Sequence, residues 1–219
     1  MADRLDEYRQ KRDFDKTPEP EGGSENTGEQ LKFVVQHHIA RKDHYDFRLE
    51  WNGTLLSWAV PKGPSYNPRD KRLAVQVEDH PLEYSDFEGT IPKGEYGGGT
   101  VMLWDEGTWE PHSNVEEGLE NGSLKFELNG RRLKGNWALV RLKAKPGDTK
   151  DNWLLLKEKD EYALDNDGIS GFTTSIRTGR TMSEIEKGEP EKVVKNPFNK
   201  VEVQLAKLVD TIPQGDDWL

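Results

Sequence analysis

The stretch HYDFRLEW at residues 44–51 alternates polar and apolar side chains without a break. Successive side chains of a β-strand point to opposite faces, so this period of two predicts a strand with one apolar and one polar face. The apolar face can pack into a core. The polar face carries His44, Asp46, Arg48 and Glu50, and it forms either a solvated surface or the wall of a site.

Other short apolar or alternating segments extend this strand into a sheet. They occupy residues 31–36, 44–51, 55–60, 72–79, 100–104, 124–128, 136–142 and 153–157. Turn sequences separate several of them, namely Asn52-Gly53, Lys62-Gly63-Pro64, Gly97-Gly98-Gly99 and Asn129-Gly130. About eight strands at this spacing predict an all-β domain over residues 31–163, either an antiparallel barrel or a sandwich.

Both ends of the chain differ in composition from this central part. Residues 1–30 form a predicted arm, with a short charged helix at residues 5–14 and a polar stretch that composition alone would leave disordered. After residue 163 the strand pattern stops. Residues 164–200 are expected to form a linker with one or two helical turns at residues 182–187, and residues 201–219 complete an extended C-terminal tail.

The composition limits the classes of protein and of site. The chain has 219 residues, 33% of them charged, and a formal net charge of -10. The acidic balance argues against nonspecific nucleic-acid binding over a broad surface, but it is compatible with a small basic pocket. Cysteine is absent, so any metal must be held by His, Asp or Glu. The apolar runs are too short for a membrane span and the first residues lack the order of a secretory signal, which predicts a soluble, cytoplasmic protein that does not bind a membrane.

A candidate metal site combines two histidines and one carboxylate. His44 and Asp46 share one face of the predicted strand, where an imidazole and a carboxylate can reach the same ion. His38 lies upstream, just after the first predicted strand, and a loop can fold it back as a third ligand. Such a set leaves coordination positions open for water and substrate, as a catalytic site needs. Arg48, on the same face, offers a bidentate fork suited to phosphate oxygens.

Spacing alone leaves two enzyme classes open for this pattern. A metal-dependent enzyme that acts on phosphate esters accounts for Arg48. A His-x-Asp pair with a distant histidine is also the triad of non-haem iron oxygenases, which use arginine for a carboxylate cosubstrate.

A second polar pattern follows at residues 72–84. Its apolar residues Leu73, Val75 and Val77 predict a core-facing row. The opposite face then carries Arg72, Gln76, Glu78 and His80. Pro81 ends the strand and Tyr84 follows it. From spacing alone His80 is expected to be a turn residue, unless this strand lies beside the first.

The glycine-rich stretch at residues 94–99 lacks the Gly-Lys-Ser/Thr of a phosphate-binding loop. It precedes a predicted strand. We therefore expect a turn between two strands there.

Together, five motifs closely resemble the 3′-phosphoesterase domain of bacterial DNA ligase D. They are FVVQHH at residues 33–38, HYDFRLE at 44–50, LSWAVPKGP at 56–64, VEDHPLEY at 77–84 and FEG at 87–89. The resemblance runs from about Tyr8 to Tyr162 and implies a compact antiparallel β-barrel with a crescent groove of polar residues. It further implies removal of a 3′-terminal ribonucleotide and then of the remaining 3′-phosphate, preferably with Mn²⁺, during non-homologous end joining.

The same resemblance implies roles for individual residues. The implied metal ligands are His38, His44 and Asp46, holding Mn²⁺ or another divalent ion such as Co²⁺ or Zn²⁺. The residues implied to gather round the scissile phosphate are Arg48, His80 and Tyr84. Further substrate contacts are implied for Gln36, Lys62, Arg72, Glu78, Arg12, Asp13 and Glu19. The last three lie in the arm, so the arm is expected to fold against the site, although its composition alone predicts disorder. His37 departs from the family pattern, because the resemblance leads us to expect lysine there.

The resemblance also implies partners. DNA 3′ ends at primer-template junctions are the implied substrates, including ends with a terminal ribonucleotide. In the full-length protein, the implied partners are ligase and polymerase domains and the Ku end-binding protein. Residues 203–219 resemble the opening of an ATP-dependent ligase domain, but the chain has no Lys-x-Asp-Gly motif to carry the adenylate. We therefore expect a truncated ligase domain that does not ligate. A non-catalytic module that binds DNA ends remains an alternative.

Overall fold

A computed structural model describes residues 4–23, 28, 30–144, 146–147, 149–192 and 194. The resemblance to a ligase domain at residues 201–219 lies outside these residues. The strands are β1 Lys32–Ile39, β2 Asp43–Trp51, β3 Thr54–Val60, β4 Arg72–Pro81, β5 Gly89–Ile91, β6 Gly99–Pro111, β7 Ser123–Gly130, β8 Lys134–Arg141 and β9 Asn152–Lys157. The helices are α1 Asp6–Gln10, α2 Val115–Asn121 and α3 Met182–Glu186, with a 3₁₀ turn at Leu82–Asp86.

The strands form a closed antiparallel barrel. The sheet order is β1-β2-β3-β4-β9-β8-β7-β6-β5, and a further pairing between β1 and β6 closes it with eight strands, leaving β5 as an extra strand on β6. The predicted all-β barrel is therefore confirmed. The short strand β5, the helix α2 and the 3₁₀ turn were not expected from the sequence pattern.

The core lies inside the barrel, and β2 shows how alternation builds it. Phe47 and Leu49 are buried in this core, with Tyr45 and Trp51 packed against it, as the period of two predicts. The hairpin to β3 is made by Asn52-Gly53, whose positive φ angles of 50° and 80° suit a tight two-residue turn. This turn fixes the register of β2 against β3.

Because of a β-bulge in β4, the observed faces of that strand differ from the predicted ones. Leu73 is 42% exposed, while its neighbour Ala74 is buried in the barrel core, so the expected core-facing row of Leu73, Val75 and Val77 is wrong. The bulge arises because Leu55 and Ser57 of β3 pair with His80 and Val77 of β4. An extra residue in one strand reverses the alternation beyond it. Gln76 consequently accepts a hydrogen bond from the core residue Trp153, whereas His80 faces outward.

Part of the predicted linker packs on the barrel. Ile169, Ile176 and Ile185 are buried, and the backbone of Ile176 donates to Leu103 of β6. Arg180 forms an ion pair with Glu88. The described part of residues 164–200 thus contributes apolar and ionic contacts that its polar composition does not reveal. None of the helices in the described ranges has the length and apolar content needed to cross a membrane.

Candidate metal centre and phosphate site

The polar face of β1 and β2 lies outside the barrel and carries the candidate metal centre. The register pairs His38 with His44 and Gln36 with Asp46, so that β1 continues through His38 instead of ending in a loop before it. One possible ligand atom from each of His38, His44 and Asp46 lies within 4.8 Å of the others. The structure therefore brings the three predicted ligands together.

The hydrogen bonds of the two imidazoles suit metal binding. Nδ1 of His44 lies 2.9 Å from the carbonyl oxygen of Lys42, which can only accept, so Nδ1 carries the proton and Nε2 keeps a lone pair. That Nε2 lies 3.7 Å from Asp46 Oδ1. Nε2 of His38 is buried and has no hydrogen-bond partner in the described part of the chain. Two nitrogen donors and a carboxylate are an appropriate set for a divalent transition metal.

Asp46 and Arg48 form a buried ion pair beside these imidazoles. Nη2 of Arg48 lies 3.2 Å from Asp46 Oδ2. Burial by itself would raise the pKa of Asp46, but the guanidinium and the two histidines more than offset it, so the net pKa lies well below the usual range. The carboxylate is thus ionised and ready to bind a cation.

Three further contacts fix the guanidinium of Arg48. Its Nε donates to Gln36 Oε1 at 2.9 Å and its Nη1 donates to Ser57 Oγ at 2.8 Å. Gln36 in turn donates to the carbonyl oxygens of Tyr84 and Phe87. The ring of Tyr84 lies 4.8 Å from the guanidinium carbon. Arg48 is therefore held in one orientation.

The N-terminal arm closes one side of the site. Arg12 Nε donates to Glu19 at 2.9 Å, and its Nη1 lies 3.3 Å from Glu78 on β4. Nη2 of Arg12 lies 3.3 Å from Nε2 of His80. Tyr8, which is fully buried, packs against His80. These contacts place the arm against the site, as the implied roles of Arg12 and Glu19 require.

His80 and Tyr84 are buried neighbours with shifted pKa values. Burial, reinforced by the guanidinium groups of Arg48 and Arg12, holds the pKa of His80 well below its ordinary value. Its Nδ1 donates to the carbonyl of Glu78, so Nε2 accepts from Arg12. Burial raises the pKa of Tyr84 well above its ordinary value, so its hydroxyl keeps its proton.

Three residues with implied roles make no described bond to this cluster. Lys62 is exposed in the turn after β3. Arg72 pairs with Asp70 at 2.9 Å, and Asp13 pairs with Lys16 at 2.5 Å. Within the described residues, none of the three makes a hydrogen bond or ion pair with the cluster.

Sequence reasoning missed four residues that support the site. They are Tyr8, Lys11, Ser57 and Tyr96. Lys11 Nζ lies 3.0 Å from Glu78 Oε2, and Tyr96 donates to the same oxygen at 3.4 Å. Tyr96 lies in the glycine-rich turn between β5 and β6, and only the fold brings it next to β4. Ser57 lies opposite Arg48, and as a polar residue within the apolar segment 55–60 it could have been suspected from the sequence.

Fold and site together define a class of protein: a closed β-barrel domain with a histidine-rich polar cluster on its outer face, set beside two buried arginines. A family model described as the DNA ligase D 3′-phosphoesterase domain matches residues 36–141. The chain belongs to this domain family, whose name denotes a hydrolase.

Curated relatives extend the similarity beyond the matched region. The multifunctional non-homologous end joining protein LigD of Pseudomonas aeruginosa is 44% identical over 230 residues, which covers 97% of this chain and 27% of that protein. The multifunctional non-homologous end joining DNA repair protein LigD of Mycobacterium tuberculosis is 44% identical over 174 residues, which covers 78% of this chain and 22% of that protein. The chain thus spans about a quarter of the length of these relatives.

Proposed function

We propose that this chain is a metal-dependent phosphoesterase that heals the 3′ ends of broken DNA. The observation that supports it is the convergence of His38, His44 and Asp46 beside the fixed guanidinium of Arg48, in a domain of the phosphoesterase family. A divalent cation held by the three ligands would supply Lewis-acid polarisation of a phosphoryl oxygen and hydroxide at neutral pH. Mn²⁺ is our first choice, with Co²⁺ and Zn²⁺ as alternatives.

The chain's own residues would bind and orient the phosphate. Arg48 is already anchored by Gln36, Ser57 and Asp46, so it can offset the growing negative charge without reorganisation. Arg12 approaches from the arm and is oriented by the lone pair of His80. His80 is therefore proposed to position Arg12, and Tyr84 to supply a protonated hydroxyl and a ring beneath Arg48.

The proposed substrates are DNA 3′ ends at primer-template junctions. A phosphodiesterase step would use water to release the terminal ribonucleoside and leave a 3′-phosphate, and a phosphomonoesterase step would then release this phosphate and leave a 3′-OH. The relatives' names place them in non-homologous end joining, and we propose the same process for this chain. The proposed location is the cytoplasm, where bacterial DNA breaks occur. The proposed partners are ligase and polymerase domains and the Ku protein. Lys62, Arg72 and Asp13 are proposed to contact DNA only beyond the scissile phosphate.

A primer-template that ends in one ribonucleotide tests this proposal. With Mn²⁺, we expect the terminal nucleoside to be released first, and a 3′-phosphate strand to be converted into a 3′-OH strand. A module that only binds ends would retain the labelled primer without turnover under any divalent metal, and that result would overturn the proposal. Dependence on oxygen and a keto acid would instead favour the oxygenase.

A further inference from the structure

A second concave region lies next to the metal centre. It is a cavity of about 750 Å³ between the end of β1 and the turn from β5 to β6. Its lining includes Ile39, Arg41, Lys93, Tyr96 and the glycines of that turn. The volume is in the range of ordinary ligand sites. None of the three proposed metal ligands lines it.

The cavity adjoins the proposed site along two edges. Ile39, at its wall, directly follows His38 on β1. On the other edge, Tyr96 donates to Glu78, and the guanidinium carbon of Arg12 lies 5.3 Å from the Tyr96 ring centroid. A DNA strand whose 3′ end lies at the metal centre can therefore extend into this cavity.

The glycines of the turn are explained by backbone geometry. Gly94 and Gly97 have φ angles of 104° and 73°, which favour glycine. A Cβ at Gly98 or Gly99 would collide with a backbone oxygen, of Pro92 or of Ile39. These glycines thus need no ligand to account for them.

Packing does not explain the three other side chains at this cavity. Tyr96 is 43% exposed, although Lys11 and Arg12 lie near its ring. Arg41 and Lys93 are exposed, and neither makes an ion pair or side-chain hydrogen bond with another described residue. A partly exposed aromatic ring in a cavity that also presents unpaired cations is a combination suited to single-stranded nucleic acid, which binds by stacking a base and contacting cations through its backbone.

We propose that this cavity binds the terminal nucleotides of the processed DNA strand once they separate from the template, with a base stacked on Tyr96 and phosphates beside Lys93 and Arg41. This inference rests on the function proposed above and adds the path of the substrate. In a chain with a net charge of -10, local cations are needed to attract a polyanion. Glu95 and Glu186 also line the cavity and oppose binding. Neutralising Glu186 is therefore expected to tighten it.

The test is binding of a fluorescent single-stranded oligonucleotide with a 3′-phosphate, measured by anisotropy at several salt concentrations in the absence of metal. Tyr96→Ala is expected to weaken binding about tenfold, while Tyr96→Phe keeps the stacking surface and stays close to wild type. Lys93→Ala and Arg41→Ala should each reduce the slope of log affinity against log salt by about 0.7. Glu186→Gln should bind more tightly than wild type.

Two matched controls separate these effects from general surface changes. Tyr162 is 40% exposed and lies beside Gly135 of β8, and Lys159 is exposed after β9. Tyr162→Ala and Lys159→Ala should bind as wild type does. The proposal would be overturned if Tyr96→Ala, shown by circular dichroism to be folded, bound the oligonucleotide within twofold of wild-type affinity. An unchanged salt slope in both Lys93→Ala and Arg41→Ala would also overturn it.

Turnover distinguishes a failure of this inference from a failure of the proposed function. If wild type releases no phosphate under any divalent metal, the proposed function fails, and the binding series still decides whether the cavity takes the strand. If wild type is active, the double variant Arg41→Ala/Lys93→Ala should raise KM for a long oligonucleotide about tenfold while kcat changes little. A fall in kcat with unchanged KM would contradict a role in strand binding.

Discussion

Arg12 of the N-terminal arm and His80 of β4 are in direct contact, with Nη2 of the guanidinium 3.3 Å from Nε2 of the imidazole. Both side chains are buried in this contact. The carboxylates of Glu19 and Glu78 neutralise the guanidinium from two other sides. The arm, whose composition predicts disorder, is thus fixed against the site by buried ionic contacts.

Undocking the arm should therefore reduce activity. Tyr8→Ala removes a fully buried ring that packs against His80 and whose hydroxyl donates to Pro20, and we expect at least a tenfold lower kcat/KM because Arg12 loses its position. Lys16→Ala, a change in an exposed arm residue, is the matched control and should retain activity. Equal rates for both variants would show that the docked arm does not serve the reaction.

Two adjacent histidines of β1 should differ sharply in metal binding. His38 faces the candidate centre, whereas His37 faces the other side, stacks on Tyr45 and lies 2.6 Å from Asp43. His38→Ala should weaken Mn²⁺ binding by more than the roughly 10–100-fold typical of losing an outer-shell partner, and His37→Ala should leave it nearly unchanged. Titration calorimetry of the two variants measures this. Comparable affinities would remove His38 from the ligand set.

Replacement of Arg48 by lysine should affect catalysis more than folding. Lysine keeps the charge beside Asp46 but cannot contact Gln36 and Ser57 at the same time. We expect kcat to fall on the order of 100-fold. Ser57→Ala, which removes one of the anchoring contacts, should cost far less. Single-turnover rates, together with thermal melting to check folding, decide between these outcomes.

Asp105 should make stability depend on pH. Burial raises its pKa to about 7, although the backbone N–H groups of Leu133 and Arg132 and the charge of Arg132 act in the opposite direction. The folded state then holds a proton that the unfolded chain loses near pH 4, so the free energy of unfolding contributed by this group falls as pH rises from about 4 to 7, by at most about 1.4 kcal/mol per pH unit.

Urea unfolding at several pH values tests this contribution. Asp105→Asn loses one acceptor and should be less stable overall by about 1 kcal/mol at low pH. The difference in unfolding free energy between wild type and Asp105→Asn should shrink or change sign as pH rises to 8. A difference that is constant with pH would contradict the raised pKa.

The sequence predicted the barrel well because alternating side chains and turn residues are visible in short stretches of sequence. The period of two at residues 44–51 and the Asn52-Gly53 turn correctly indicated β2, its hairpin and its two faces. The same reasoning failed in β4, since a bulge is specified by pairing with β3 and leaves no mark in the alternation. The packing of Ile176 and Ile185 was missed for a similar reason: isolated apolar residues in a polar segment carry no period.

The candidate site was only partly accessible from spacing. The strand alternation placed His44, Asp46 and Arg48 on one face, and His38 joins them through the register of β1 against β2. Arg12 could not be connected to β4 without the family resemblance, because its partners are remote in sequence. Lys11 and Tyr96 contact each other and Glu78, and no local sequence pattern indicates such contacts.

Metal-dependent release of phosphate from a 3′-phosphate primer tests the central claim most directly. The chain is incubated with the primer-template, first with EDTA and then with Mn²⁺, and the 3′ end is identified by its extension with a polymerase. The account predicts extendable 3′-OH ends only with Mn²⁺, and a loss of at least 100-fold in His44→Ala. Phosphate release that persists in EDTA, or that is equal in His44→Ala and wild type, would contradict it.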